Sequence, residues 1–181
     1  MSLRMSFILV VLSLVVAAPR LTASAVVPRE DDFYLELTIV TGEHSRDSNS
    51  VTRVLTVSAG ELTYKETYEG ARSNRRRPIK KQFKLTKQDE AALIALLKAK
   101  NLLVTKTISK PPTQKGSSRY FELAITSALE GKEHSVAIEA SPSAAELKTD
   151  SLYQGSVSLI EQLYKTINRT DPDLTIPTII D

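Results

Sequence analysis

The chain has 181 residues, 25% of them charged and 41% hydrophobic, with a formal net charge of +3 and no cysteine. Without cysteine there are no disulfides, no thiolate metal ligands and no cysteine nucleophile. So small a net charge predicts no class of partner. Its distribution says more: Lys65 to Lys87 carries nine basic residues against Glu66 and Glu69, a local balance of +7 in an otherwise acidic chain.

Residues 1–25 read as a secretory signal peptide. Arg4 supplies the basic start, residues 7–18 an apolar run of 12 residues, and Ala23, Ser24 and Ala25 a small-residue cleavage site. A bilayer span needs about 20 apolar residues, so the expectation is cleavage after Ala25 and export to the periplasm or the extracellular space, with no membrane span in the mature chain. Exported eukaryotic domains of this size usually rely on disulfides, so a cysteine-free one points to a bacterial source. Arg4 and Arg20 leave with the leader, which brings the net charge of the mature chain to +1. Residues 26–181 suit a single globular domain, with 26–32 as a loose leader and 170–181 as an extended tail.

Residues 33–40 alternate: Phe33, Leu35, Leu37 and Ile39 share one face and Tyr34, Glu36 and Thr38 the other, the pattern of a half-buried strand. A polar loop over 41–50 contains His44 and returns into a strand at 51–57. Ser58, Ala59 and Gly60 make a tight turn into a third strand at 61–68, with Leu62, Tyr64 and Tyr68 in phase. A loop over 69–77 ends in Arg75, Arg76 and Arg77. Residues 78–84 then read as an edge strand, opened by Pro78 and guarded by lysines.

Residues 85–103 give the firmest helix. Thr86 and Asp89 fit a capping box, Leu93, Leu96 and Leu97 form an apolar stripe, and Asn101 is placed for a left-handed stop. A strand at 102–108, a proline-containing loop to 118 and a hairpin of 120–126 with 133–139 follow. Next come a short helical turn near 141–147, an interruption at Gly155 and a second helix at 156–168, with Ile160, Leu163, Tyr164 and Ile167 facing inward. The segments Tyr34 to Ile39 and Tyr120 to Ile125 echo one another, as two half-buried strands do. The expected fold is α+β: an antiparallel sheet of about six strands, a meander plus a hairpin, with two amphipathic helices packed on one face.

Candidate chemistry is sparse. His44 and His134 are the only histidines, 90 positions apart, and neither belongs to a paired-histidine helix motif or a serine triad. Glu36, Glu66, Glu122 and Glu139 fall where solvated strand faces are expected. No glycine-rich phosphate loop or nucleophile elbow occurs. No catalytic residue, metal site or cofactor is assigned. The sharpest feature is basic: Arg72, Arg75, Arg76, Arg77, Lys80, Lys81 and Lys84, a loop feeding a strand near Tyr64 and Tyr68. Arginines at this density grip carboxylates or phosphates and speed association with acidic partners. The expected partner is an acidic protein surface or an anionic envelope polymer rather than nucleic acid.

The order hairpin, meander, helix ending in Asn101, Leu102 and Leu103, proline-containing loop, strands at 120–126 and 134–139, and terminal amphipathic helix resembles the emfourin-like bacterial inhibitors of secreted metalloproteases. The resemblance spans residues 33–167 and rests on element order. It implies a cofactor-free protein that blocks a protease through loops on one side of its sheet; it transfers no inhibitory residues, because the arginine-rich loop and the tail depart from the pattern. The functional expectation is therefore an exported, non-enzymatic binding module working through residues 72–84. The alternatives are a hydrolase or metal-assisted enzyme using His44 and His134, and a structural envelope protein that binds anionic polymer.

Overall fold

A computed structural model describes residues 33–43, 49–70, 76–110, 119–140 and 147–174. The expected signal peptide, the segment 26–32 and the tail beyond Leu174 lie outside the described residues, as do His44, Arg72 and Arg75. Among the described residues no helix is long and apolar enough to cross a membrane.

Among the described residues seven strands form one mixed sheet: β1 (Tyr34–Glu43), β2 (Ser50–Ser58), β3 (Glu61–Glu69), β4 (Ile79–Lys84), β5 (Thr105–Lys110), β6 (Arg119–Leu129) and β7 (Lys132–Ala140). The described residues also form two α-helices, α1 (Lys87–Ala99) and α2 (Ser151–Thr170), and a 3-10 turn at Leu147–Thr149. The strand order is β4-β3-β2-β1-β6-β7-β5, so β1 is central and β4 and β5 are the edges. The α+β class is as expected, but the sheet has seven strands and is not purely antiparallel. The β6–β7 hairpin enters between β1 and β5, and β5 therefore runs parallel to β7. The echoed segments are β1 and β6, antiparallel neighbours at the centre of the sheet.

Alternation sorts the sheet into a covered and an open face. Leu35, Leu37 and Ile39 are fully buried, and the register carries their face across the sheet. Leu37 stands beside Leu55 and Ile125, Leu55 beside Tyr64, and Ile125 beside Val136. Both helices pack there: Leu93 and Leu97 of α1 and Leu159, Ile160, Leu163 and Ile167 of α2 join the same buried cluster. Leu96, expected in the stripe, is half-buried at its margin. The open face carries Thr38, Thr52, Val54, Thr56 and Ala124, all half-buried, with charged residues towards both sides.

The helix ends follow local chemistry. Thr86 and Asp89 form the expected capping box, and Asn101 takes the left-handed conformation with φ 53°. The second helix is longer than its periodicity suggests. Asp150 caps it by accepting from the Leu152 and Tyr153 N–H groups, and Gly155 lies inside its first turns rather than interrupting them. Helix α1 ends against this glycine: a Cβ there would lie 2.9 Å from Lys100 Cβ. The helices are antiparallel, since Arg169 near the end of α2 bonds to Asp89 near the start of α1.

Candidate functional site

The described cations of the basic segment do not all lie on one face. Arg76 and Arg77 are exposed just before β4, and Lys80 and Lys84 are exposed on the open face. Lys81 alternates to the other side, where its ammonium donates to Asp171 Oδ2 at 2.8 Å. It ties β4 to the end of α2 and so belongs to the architecture more than to a free cationic surface. Lys65 of β3 takes its place by standing directly opposite Lys80. Like charges paired across strands repel, and neither lysine forms an ion pair with another described residue. Lys84 stands opposite Glu61, again without an ion pair. The candidate site is thus the β3–β4 margin of the sheet: Lys65, Lys80 and Lys84 on the open face, with Arg76 and Arg77 exposed just before β4.

The root of this margin is held from beneath. Arg76 lies over the Tyr68 ring with its guanidinium carbon 5.2 Å from the centroid, a cation–π distance. The Tyr68 hydroxyl donates to Glu66 Oε1, and Tyr64 donates to Glu66 Oε2 at 2.6 Å. Arg53 Nε donates to the same Oε2 at 2.8 Å. Arg53 and Glu66 are only 6% and 5% exposed, so this is a buried charge pair with its own hydroxyl donors. Burial pushes the Glu66 pKa up, but the donations from Tyr64 and Tyr68 and the Arg53 charge outweigh it and hold the carboxyl below its ordinary range. Burial and the neighbouring carboxylate raise the Tyr64 and Tyr68 hydroxyls, which stay protonated as donors.

Glu66 therefore does not belong to a solvated strand face, in contrast to Glu122 and Glu139, which are exposed on the open side. The signal was its phase: Glu66 shares parity with Leu62, Tyr64 and Tyr68, and Arg53 with Leu55 and Val57. Register then sets Arg53 opposite Glu66. The Tyr164 hydroxyl of α2, within electrostatic reach of both, is buried with no hydrogen-bond partner among the described residues.

Of the two histidines only His134 lies among the described residues. His134 is half-buried near the start of β7 and stands opposite Ser127 of β6, whereas Glu43, the chain neighbour of His44, stands opposite Arg119 at the other end of β6. Eight residues of strand separate those levels by roughly 25 Å. The described residues contain no cluster of three or more metal-ligating side chains.

No family model matches the chain, and no curated protein matches it.

Proposed function

We propose that this chain is an exported, non-enzymatic binding module that holds an acidic protein partner against the β3–β4 margin of its sheet. The observation that carries the reading is the Lys65–Lys80 pair, two exposed lysines directly opposite one another in the register, neither ion-paired with a described residue. A carboxylate placed between them relieves their repulsion and gains two charge-assisted hydrogen bonds. Arg76 and Arg77 extend the cationic field towards the loop, and the Tyr68 ring holds Arg76 in place. Export rests on the leader-like composition of residues 1–25. The order of elements resembles the emfourin-like inhibitors, so inhibition of a secreted metalloprotease is the form of binding to assay first.

The test is a pull-down from an exported-protein fraction with residues 26–181, run beside Arg77→Glu/Lys80→Glu. Both substituted residues are exposed, so the variant should fold. A defined partner captured by the wild type and lost by the variant supports the reading; equal capture overturns it. Salt separates the envelope-polymer alternative, because purely counter-ionic attachment fades gradually without a defined stoichiometry.

A further inference from the structure

Strand β4 is an edge, and its backbone phase can be read from one bond. The Leu85 N–H donates to the Gly60 carbonyl at 2.8 Å, so residues 79, 81, 83 and 85 turn their peptide groups towards β3. The two-residue period then points the N–H and C=O groups of Lys80, Gln82 and Lys84 away from the sheet. No described strand takes them up. The side chains of the same three residues are exposed on the open face, with Lys65 behind Lys80. Half-buried Ile79 and Leu85 flank this row.

We infer that the acidic partner docks through an extended segment that pairs with β4 as an eighth strand, its carboxylates beside Lys80 and Lys84 and its alternate apolar residues beside Ile79 and Phe83. The inference rests on the proposed acidic-partner reading and adds the geometry of the contact. Backbone bonds from residues 80, 82 and 84 supply affinity, and the alternating side chains supply selectivity. The lysines that admit an acidic strand repel the β4 edge of a second copy, so the edge is guarded against self-association and still open to a complementary chain. The other edge, β5, is a built-in contrast. Its open-face residues Thr105, Thr107 and Ser109 are uncharged, and Lys106 follows the covered-face parity of Ile108.

The probe is an eight-residue peptide alternating glutamate and valine, titrated against wild type, Lys80→Glu/Lys84→Glu and Gln82→Pro. Proline at 82 removes one outward N–H, keeps every cation and every β3–β4 bond, and is tolerated on an edge strand. Strand addition predicts that Gln82→Pro weakens binding about tenfold while circular dichroism and melting stay unchanged. A second measurement covers a Gln82→Pro variant that folds poorly: N-methylating the glutamate amides and the valine amides in two separate peptides should abolish binding to wild type for one set only. Binding unchanged in Gln82→Pro and in both methylated peptides, or lost equally with both sets, overturns strand addition. The charge reading then stands if Lys80→Glu/Lys84→Glu still loses the parent peptide. If wild type binds the parent peptide no better than Lys80→Glu/Lys84→Glu does, both readings fall.

Discussion

Arg169 Nη2, near the end of α2, donates to both carboxylate oxygens of Asp89, at 3.0 Å and 2.9 Å. The same carboxylate accepts from the Thr86 N–H at 3.1 Å, so the first turn of α1 and the last turn of α2 share one acid. The Arg169 and Thr86 hydrogen bonds hold the Asp89 carboxyl below its ordinary range. Because α1 follows β4 directly, this junction and the Lys81–Asp171 bond fix the base of the proposed binding edge.

Asp89→Ala removes half of the capping box and should cost about 1–2 kcal/mol. Arg169→Ala should cost less than about 1 kcal/mol, since the Arg169 side chain is 60% exposed and solvent screens its pair. Chemical denaturation measures both. An Arg169→Ala loss as large as that of Asp89→Ala would show that the interhelical bond outweighs the cap.

Glu66→Gln leaves the Arg53 charge buried without its counter-charge and should cost about 3–5 kcal/mol. Arg53→Met/Glu66→Met should lose less than the single change, because no charge is then left uncompensated. The Glu66 carboxyl is held below its ordinary value of 4.5 in the folded protein. Its contribution is therefore fully present above that value and is lost as pH falls through the lower folded-state value. The acid side of the melting-temperature profile should flatten in Glu66→Gln; an unchanged profile would contradict the assignment.

Tyr164→Phe removes a buried hydroxyl with no partner among the described residues and keeps the ring. The variant should gain about 1 kcal/mol, the desolvation penalty it no longer bears. A lower melting temperature would show that the hydroxyl is bonded in solution.

At Gly155 two effects oppose each other. Alanine gains about 1 kcal/mol of helix propensity. Its Cβ, however, would meet Lys100 Cβ at 2.9 Å and the Lys100 carbonyl oxygen at 3.3 Å, and overpacking of this kind costs about 1–3 kcal/mol. Because the Lys100 contacts involve Cβ and backbone rather than the tip of a flexible side chain, the clash should win and Gly155→Ala should destabilise. A stabilised variant would mean that α1 and α2 separate easily.

Elements governed by local chemistry were legible in the chain. Thr86 with Asp89 marked the start of α1, Asn101 its stop, and the alternation from Phe33 to Ile39 the central strand. Non-local relations were not. Gly155 reads as a breaker because its packing partner, Lys100, is 55 residues away. The parallel pairing of β5 depends on where the β6–β7 hairpin inserts, which no local pattern encodes. Arg76, Arg77, Lys80 and Lys84 were visible as a charge run, whereas Lys65 joins them only through the β3–β4 register. The run's division between Lys80 and Lys84 on one face and Lys81 on the other follows from strict alternation, which a count of charges ignores. The buried Arg53–Glu66 pair was readable from phase, but acid and arginine in a strand suggest solvent until register sets them opposite one another.

Binding of an acidic chain by the exposed cations of the β3–β4 margin is the proposal on which the rest depends. The direct measurement is a titration of polyglutamate into the wild-type protein and into Arg77→Glu/Lys80→Glu at two salt concentrations. Wild-type binding should be saturable and weaken with salt, and the affinity of the variant should be lower by about tenfold. Equal affinities for the two proteins would contradict it.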